Sequence, residues 1–460
     1  MREVRACSTS GILGYGFPEE SLKRCMEEKP HFIACDAGST DPGPYFLGSG
    51  KSFVSKDAVK RDLRLILSYA KKAEIPVIIG SAGGSGCNKG VDDFKKIVEE
   101  ISHENQHHLK VAYIRSEVDK QYLSQKIDQG RVQSLGTTPP LSHNTIQHLH
   151  RSVAMMGPEP FIEALKEDVD LIIAGRATDA SVFTSFPIFK GMNPATAWHA
   201  AKIIECGAAT AVPKSHDCIM ATIRDEEFFI ETLNPEKTLP WKNVAAHTMY
   251  ENVSPFHLQE PGGVLDTTAS VYEQVNERTV RVTGSSFIKD PNYKVKLEGV
   301  EKVGYRTICI AGIRDPILLS QLDDYLTFIR EKLHEKVSAV YGMEVSPDDY
   351  TVTFRKYGIN GVMGSLEPEQ GSPHEVGLLL DVIALDPDKS ETIMAALRTL
   401  VLHSHFKGRL CISGNAAFPF SPPDIPMGEV YQFILNHTVE PDSPYELFPI
   451  EYVEVNPCQN

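Results

Sequence analysis

Val77-Ile78-Ile79-Gly80-Ser81-Ala82-Gly83-Gly84-Ser85-Gly86 decides how this chain is read. A short apolar run stops, and a glycine cluster follows at once. On the N-terminal side, Lys56–Ala73 carries Leu63, Leu65, Ile66, Tyr69 and Ala70 at helical spacing. On the C-terminal side, Val91, Phe94, Ile97, Val98 and Ile101 repeat that period through Ser102. Helix, short strand, glycine turn and helix make the rhythm of a βα crossover fold.

Four more strands end in the same manner. Val4–Cys7 runs into Ser8-Thr9-Ser10-Gly11, and Phe32–Cys35 into Asp36-Ala37-Gly38-Ser39-Thr40-Asp41. Val111–Ile114 is followed by Arg115-Ser116-Glu117, and Leu171–Ala174 by Gly175-Arg176-Ala177-Thr178-Asp179. Further helices are expected at Glu19–Glu28, Gln121–Gly130, Pro160–Glu167 and Asn193–Glu205. Strands alternating with helices predict an α/β domain with a doubly wound, mostly parallel, Rossmann-like sheet. Such sheets bind ligands outside the carboxyl ends of their strands, so the polar clusters are expected to share one rim.

This pattern places an α/β substrate-binding domain at residues 1–212. Residues 213–263 read as a connecting region, punctuated by Pro235, Pro240, Pro255 and Pro261. Residues 264–460 read as a smaller α+β domain. Within it, Tyr305–Ile313, Pro316–Val340, Tyr350–Tyr357, Glu375–Leu385 and Lys389–Ser404 suggest a split βαββα unit of ferredoxin-like type. The proline-rich Phe418-Pro419-Phe420-Ser421-Pro422-Pro423 predicts an irregular C-terminal tail.

Composition narrows the function. A chain of 460 residues needs more than one core. The net charge of −15 opposes binding to nucleic acid or to an anionic membrane. No run approaches the roughly 18 apolar residues of a membrane-spanning helix. The N-terminus lacks the basic, apolar, small-residue order of a signal peptide, and a cytoplasmic protein is expected. The nine cysteines, Cys7 to Cys458, are widely spaced without a C-x-x-C pair. Reduced, structural thiols are expected.

Four groups of residues offer chemistry. Gly83, Gly84 and Ser85 lie in a glycine-rich turn before a helix, where backbone N–H groups and the helix dipole attract an anion. The loop is neither a dinucleotide fingerprint nor a Walker loop, so no redox cofactor is indicated. Asp36 and Asp41 offer carboxylates suited to acid–base work or to a divalent metal, although no ligand set can be assigned. Arg176 is suited to hold a carboxylate, and Asp179 beside it to orient it or carry a proton. Ser10, Ser39 and Thr40 supply hydroxyls. By contrast, His143, His148 and His150 lack the H-E-x-x-H spacing and read as a solvated helix face. Nothing beside Cys206 would lower its pKa. His403, His405, Lys407 and Arg409 fit the cationic end of a helix.

Gly175-Arg176-Ala177-Thr178-Asp179-Ala180-Ser181 and Ile203-Ile204-Glu205-Cys206-Gly207-Ala208 resemble the central signature of the acyclic terpene utilisation family. Pro261-Gly262-Gly263-Val264 is similar to that family's later glycine motif. The likeness covers roughly the first 300 residues, and Gly414–Ile425 resembles a small domain often found with the family. Ser10–Gly16 and Asp36–Asp41 depart from the usual pattern, which marks a divergent member. The resemblance implies an α/β first domain and a role in the breakdown of carboxylic acids or acyl-CoA esters, without naming the reaction.

Together these readings predict an enzyme of proton-transfer type, a hydratase, lyase or isomerase, acting on a small carboxylate or its coenzyme A ester. Asp36 and Asp179 would carry the proton, with Ser10, Ser39, Thr40, Gly83, Gly84, Ser85 and Arg176 binding substrate. Two alternatives stay open: a non-catalytic or half-catalytic subunit that needs a small partner protein, and a nucleotide-dependent ligase or kinase. A homo-oligomer is expected.

Overall fold

The computed structural model describes residues 2–252, 254–342, 345–369 and 371–457. Cys458 lies outside them; the other eight cysteines are free thiols. The chain divides into two compact units, one of residues 1–301 with 433–460 and one of residues 302–432.

The first unit is built on five parallel strands: Val4–Ser8, Phe32–Asp36, Val77–Gly80, Leu109–Ile114 and Leu171–Ala174. Numbered along the chain, they lie in the order first, second, third, fifth, fourth. Side chains alternate across this sheet. Ile33, Cys35, Val77, Ile79, Val111 and Ile173 pack with the helices Glu19–Glu27, Lys56–Ala73 and Asn88–Asn105. Phe32, Ala34, Ile78, Ala112 and Ile172 pack on the other face with Glu159–Leu165, Asp179–Phe189 and Pro194–Ile204. Right-handed crossovers explain the division. The chain winds one way from the first strand to the fourth and lays helices on one face. It then turns back to the fifth strand, and the helices change face.

The sheet is less parallel than its rhythm suggests. Four antiparallel strands extend it beyond the first strand, ordered Ile219–Ile223, Glu227–Thr232, Thr279–Thr283 and Val271–Asn276. Ile450–Val455 pairs antiparallel with the fourth strand at the other edge. Residues 213–263, read as a connection, carry two strands that continue the sheet. Pro235 and Pro240 lie between elements and interrupt neither strand. Nor is the tail irregular: Asp424–Val439 and Ile450–Val455 are strands. The proline cluster at 418–423 only precedes them. The expected boundaries at 212 and 264 thus do not coincide with the division of the fold, since sheet pairing joins residues on both sides of them.

In the second unit, Tyr350–Tyr357 pairs with Val376–Ala384, which pairs with Tyr305–Ile313, all antiparallel. The helices Leu322–Tyr341 and Pro387–His403 bury Ile329, Leu333, Ile393 and Leu397 against Cys309, Ala311, Leu378 and Leu380. An α/β first unit and an α+β arrangement in the second thus match the expected classes. Among the described residues, no helix is long and apolar enough to cross a membrane.

Candidate functional site

The second, third and fifth strands bring their carboxyl ends side by side, and pairing continues past them. Ala37 N donates to Gly80 O at 2.9 Å, and Ser81 N donates to Gly175 O at 2.9 Å. This packing explains two glycines by sterics. A Cβ on Gly38 would overlap the carbonyl oxygen of Gly84. Gly86, at φ +67°, lies so close to the Arg176 backbone that a Cβ there would overlap it.

A cavity of about 690 Å³ opens at this rim in the first unit. That size suits a small-molecule ligand. Arg176, Asp179, Lys202, Glu260, Lys296 and Glu298 give it a charged wall, while Met155, Leu258 and Pro261 give it an apolar one.

Arg176 is 5% exposed and stands among three carboxylates. Its Nε donates to Glu298 Oε2 at 3.1 Å and its Nη1 to Ser81 Oγ at 3.3 Å. Its backbone N–H is fixed by Ser116 Oγ at 2.7 Å. Burial disfavours the guanidinium charge, but Glu298, Asp179 and Asp36 outweigh it and raise the pKa further. Glu298 responds in the opposite sense. Burial works to raise its pKa, yet Arg176 and Lys296 hold it down to about 2. Lys296 Nζ donates to Glu298 Oε1 at 2.9 Å, and Thr40 Oγ1 donates to the same oxygen at 3.3 Å.

The two aspartates carry protons more readily than usual. Burial pushes Asp36 up to about 6, against the pull of Arg176 and of the Gly38 N–H, which donates at 3.1 Å. Asp179 opens the helix Asp179–Phe189, which Thr178 caps by accepting from Ser181 N at 3.2 Å. Burial and then the negative charge of Asp36 hold Asp179 well above the usual carboxylate range. Asp179 lines the cavity, whereas Asp36 lies outside its lining.

On the facing side, Lys202 Nζ donates to Glu205 Oε1 at 2.9 Å. His247 Nε2 lies 3.9 Å from the same oxygen. Burial opposes the Lys202 charge, and Glu205 more than restores it. Glu260 ends the strand His257–Glu260, and its Oε2 is buried without a hydrogen-bond partner among the described residues. Burial brings its carboxyl up to about 7, although Thr178 and Lys202 pull the other way.

The sequence-derived candidates therefore separate into three groups. Ser39, Thr40, Asp41, Arg176 and Asp179 line the cavity. Asp36 lies outside the lining and acts on Arg176 and Asp179 through charge. Ser10, Gly83, Gly84 and Ser85 do not line it. Ser10 Oγ donates to Ile12 O at 3.0 Å and is 4% exposed. Gly84 is covered by the Phe53 ring, Gly83 faces Gly90, and Ser85 is 2% exposed. The glycine loop is tightly packed where an anion cradle was expected. His143, His148 and His150 are exposed and outside the cavity.

Four participants escaped the sequence reading: Lys202, Glu260, Lys296 and Glu298. Lys202 and Glu205 lie three apart on a helix face, which was a readable signal. Lys296 and Glu298 lie two apart, on one face of the strand Val295–Ile313. Glu260 immediately precedes the Pro261-Gly262-Gly263 motif. For a divalent metal, no three carboxylates of the cavity cluster closely enough among the described residues.

No curated protein and no solved structure matches the chain. A family model described as acyclic terpene utilisation family protein AtuA matches residues 54–420. The match starts later and reaches further than the first 300 residues, and it takes in residues of both units. With most of its length covered and the Arg176–Asp179 signature at the cavity wall, the chain belongs to the acyclic terpene utilisation family.

Proposed function

We propose that the chain is an enzyme that moves a proton at the carbon beside a carbonyl, in the manner of a hydratase, lyase or isomerase. Its substrate is a small carboxylate or the coenzyme A ester of one. The observation that carries this reading is the pairing of Asp36 and Asp179 around Arg176, with Asp179 alone on the cavity wall. Each of two neighbouring carboxyls makes the other hold its proton more readily. Asp36 is raised to about 6, and Asp179, on the cavity wall, is held well above the usual carboxylate range by burial and by the charge of Asp36, which suits Asp179 to the acid's role.

Catalysis also needs a group that titrates near the working pH. Glu260, raised to about 7 on the same cavity, supplies it. Carboxyls pushed to different values divide into acid and base. Lys296 and Lys202 hold the substrate's carboxylate or thioester oxygen, and Met155, Leu258 and Pro261 receive its hydrocarbon part. Arg176 orders the carboxylates around it, because one edge of its guanidinium is already taken by Glu298 and Ser81.

The experiment begins with a thermal-shift screen of short-chain mono-, di- and tricarboxylates and their coenzyme A esters. Each ligand found is then incubated with the protein in D₂O and examined by NMR. Deuterium should enter the position beside the carbonyl with the native chain and not with Asp179→Asn. Ligands that bind tightly yet never exchange would remove the reading.

A further inference from the structure

We propose that Cys7, Cys25 and Cys218 form a buried three-sulfur site for a thiophilic d¹⁰ metal ion, Zn²⁺ or Cu⁺. The three sulfurs lie within 4.8 Å of one another, and all three residues are at most 1% exposed. Metal–thiolate bonds of about 2.3 Å place sulfurs roughly 3.8 Å apart in tetrahedral geometry. Closing from the present spacing therefore takes side-chain shifts of under about 1 Å. Soft sulfur donors select these ions over Mg²⁺ or Ca²⁺.

The three residues come from separate elements. Cys7 lies in the first strand, opposite Met220 of the antiparallel strand Ile219–Ile223. Cys218 immediately precedes that strand, and Cys25 lies on the buried face of the helix Glu19–Glu27. A shared ion would pin this helix to the sheet where the parallel part gives way to the antiparallel part. The site packs with the face opposite the helix that bears Asp179, so it is independent of the cavity.

Outer contacts hold Cys218 in place, as they do around established metal ligands. Its backbone N–H donates to Ser21 Oγ at 2.9 Å and to Asp217 Oδ1 at 3.0 Å. Ser21 Oγ is itself bonded to Asp217, and Asp217 Oδ2 pairs with Lys237 at 3.0 Å and accepts from Asn234 at 2.8 Å. Binding displaces thiol protons into solvent, and uptake strengthens as pH rises.

The full chain is expressed in medium supplemented with Zn²⁺ or, in a second culture, with Cu⁺ generated by reductant. Metal per chain is measured by mass spectrometry, and X-ray absorption on the native protein counts the neighbours. One ion per chain is expected from at least one culture, with three sulfurs at about 2.3 Å and loss of the ion in Cys25→Ser. A metal-free chain from both cultures would mean that the thiols serve only as core packing, and the proposal fails. It also fails if the ion has only nitrogen and oxygen neighbours, or if Cys25→Ser retains it. Should Cys25→Ser not fold, the sulfur count on the native chain decides.

Discussion

Glu298 and Arg176 form an ion pair at 3.1 Å, each with only 6% of its side chain exposed. They sit on elements far apart in sequence, so the bond ties the strand Val295–Ile313 to the end of the fifth core strand.

Replacing Glu298 by Gln removes the carboxylate bonded to the buried Arg176 guanidinium and leaves it the Ser81 hydroxyl and the charges of Asp36 and Asp179. Loss of one member of a buried pair costs about 3–5 kcal/mol. Urea unfolding at pH 7 should show that loss. In the native chain the folded pKa of Glu298 lies near 2, below its ordinary value of about 4.3. The unfolded state therefore binds the proton first, and the stabilisation present above about pH 4.3 disappears as pH falls toward 2. Glu298→Gln should flatten that part of the stability profile.

Asp36 works in the reverse sense. Its folded pKa of about 6 exceeds the unfolded value of about 3.9. Between these values the folded state holds the proton, so stability falls as pH rises from about 4 to 6 and then levels off. The total is at most about 3 kcal/mol. Asp36→Asn should abolish this fall, as measured by thermal or urea unfolding across the interval. An unchanged slope would mean that Asp36 titrates normally.

Asp179→Asn tests the chemistry. Under the proposed mechanism, turnover should drop by roughly 10²–10⁴-fold, the usual contribution of a positioned acid or base. Ligand-induced thermal shifts should persist, because Lys202 and Lys296 remain. Equal loss of binding and turnover would reassign Asp179 to substrate binding.

Gly38→Ala should yield little soluble protein, since its Cβ would meet a backbone oxygen that cannot swing aside. Gly43→Ala is the control. That glycine has φ +99° but open space around it, so it should cost only about 1 kcal/mol of backbone strain. Comparable yields of the two variants would show that the Gly38–Gly84 approach can relax.

Much of the rim was legible because it depends on local order. Phe32–Cys35 and Leu171–Ala174 are short apolar runs followed by polar clusters, and parallel pairing brings Asp36 beside Gly80. Arg176 and Asp179 were readable for that reason. Gly83 and Gly84 misled, because a glycine serves close backbone packing as readily as anion binding. The helix Asp179–Phe189 was missed since eight of its residues are buried, leaving no polar face to mark a period, and Pro187 lies inside it. Glu298 and Lys296 were illegible for another reason. Glu298, which pairs with both Lys296 and Arg176, stands 122 positions from Arg176, and only the fold brings the two together.

The pairing of Ile450–Val455 with Leu109–Ile114 sets an order on synthesis. The ribosome must make all of residues 302–432 before it releases the strand that covers the edge of the fourth core strand. Until then the nascent chain carries an open sheet edge, the kind of surface that recruits other chains. Premature termination between residues 439 and 449 would leave that edge bare for good. Such truncated products should aggregate, even though every residue of the cavity is already present.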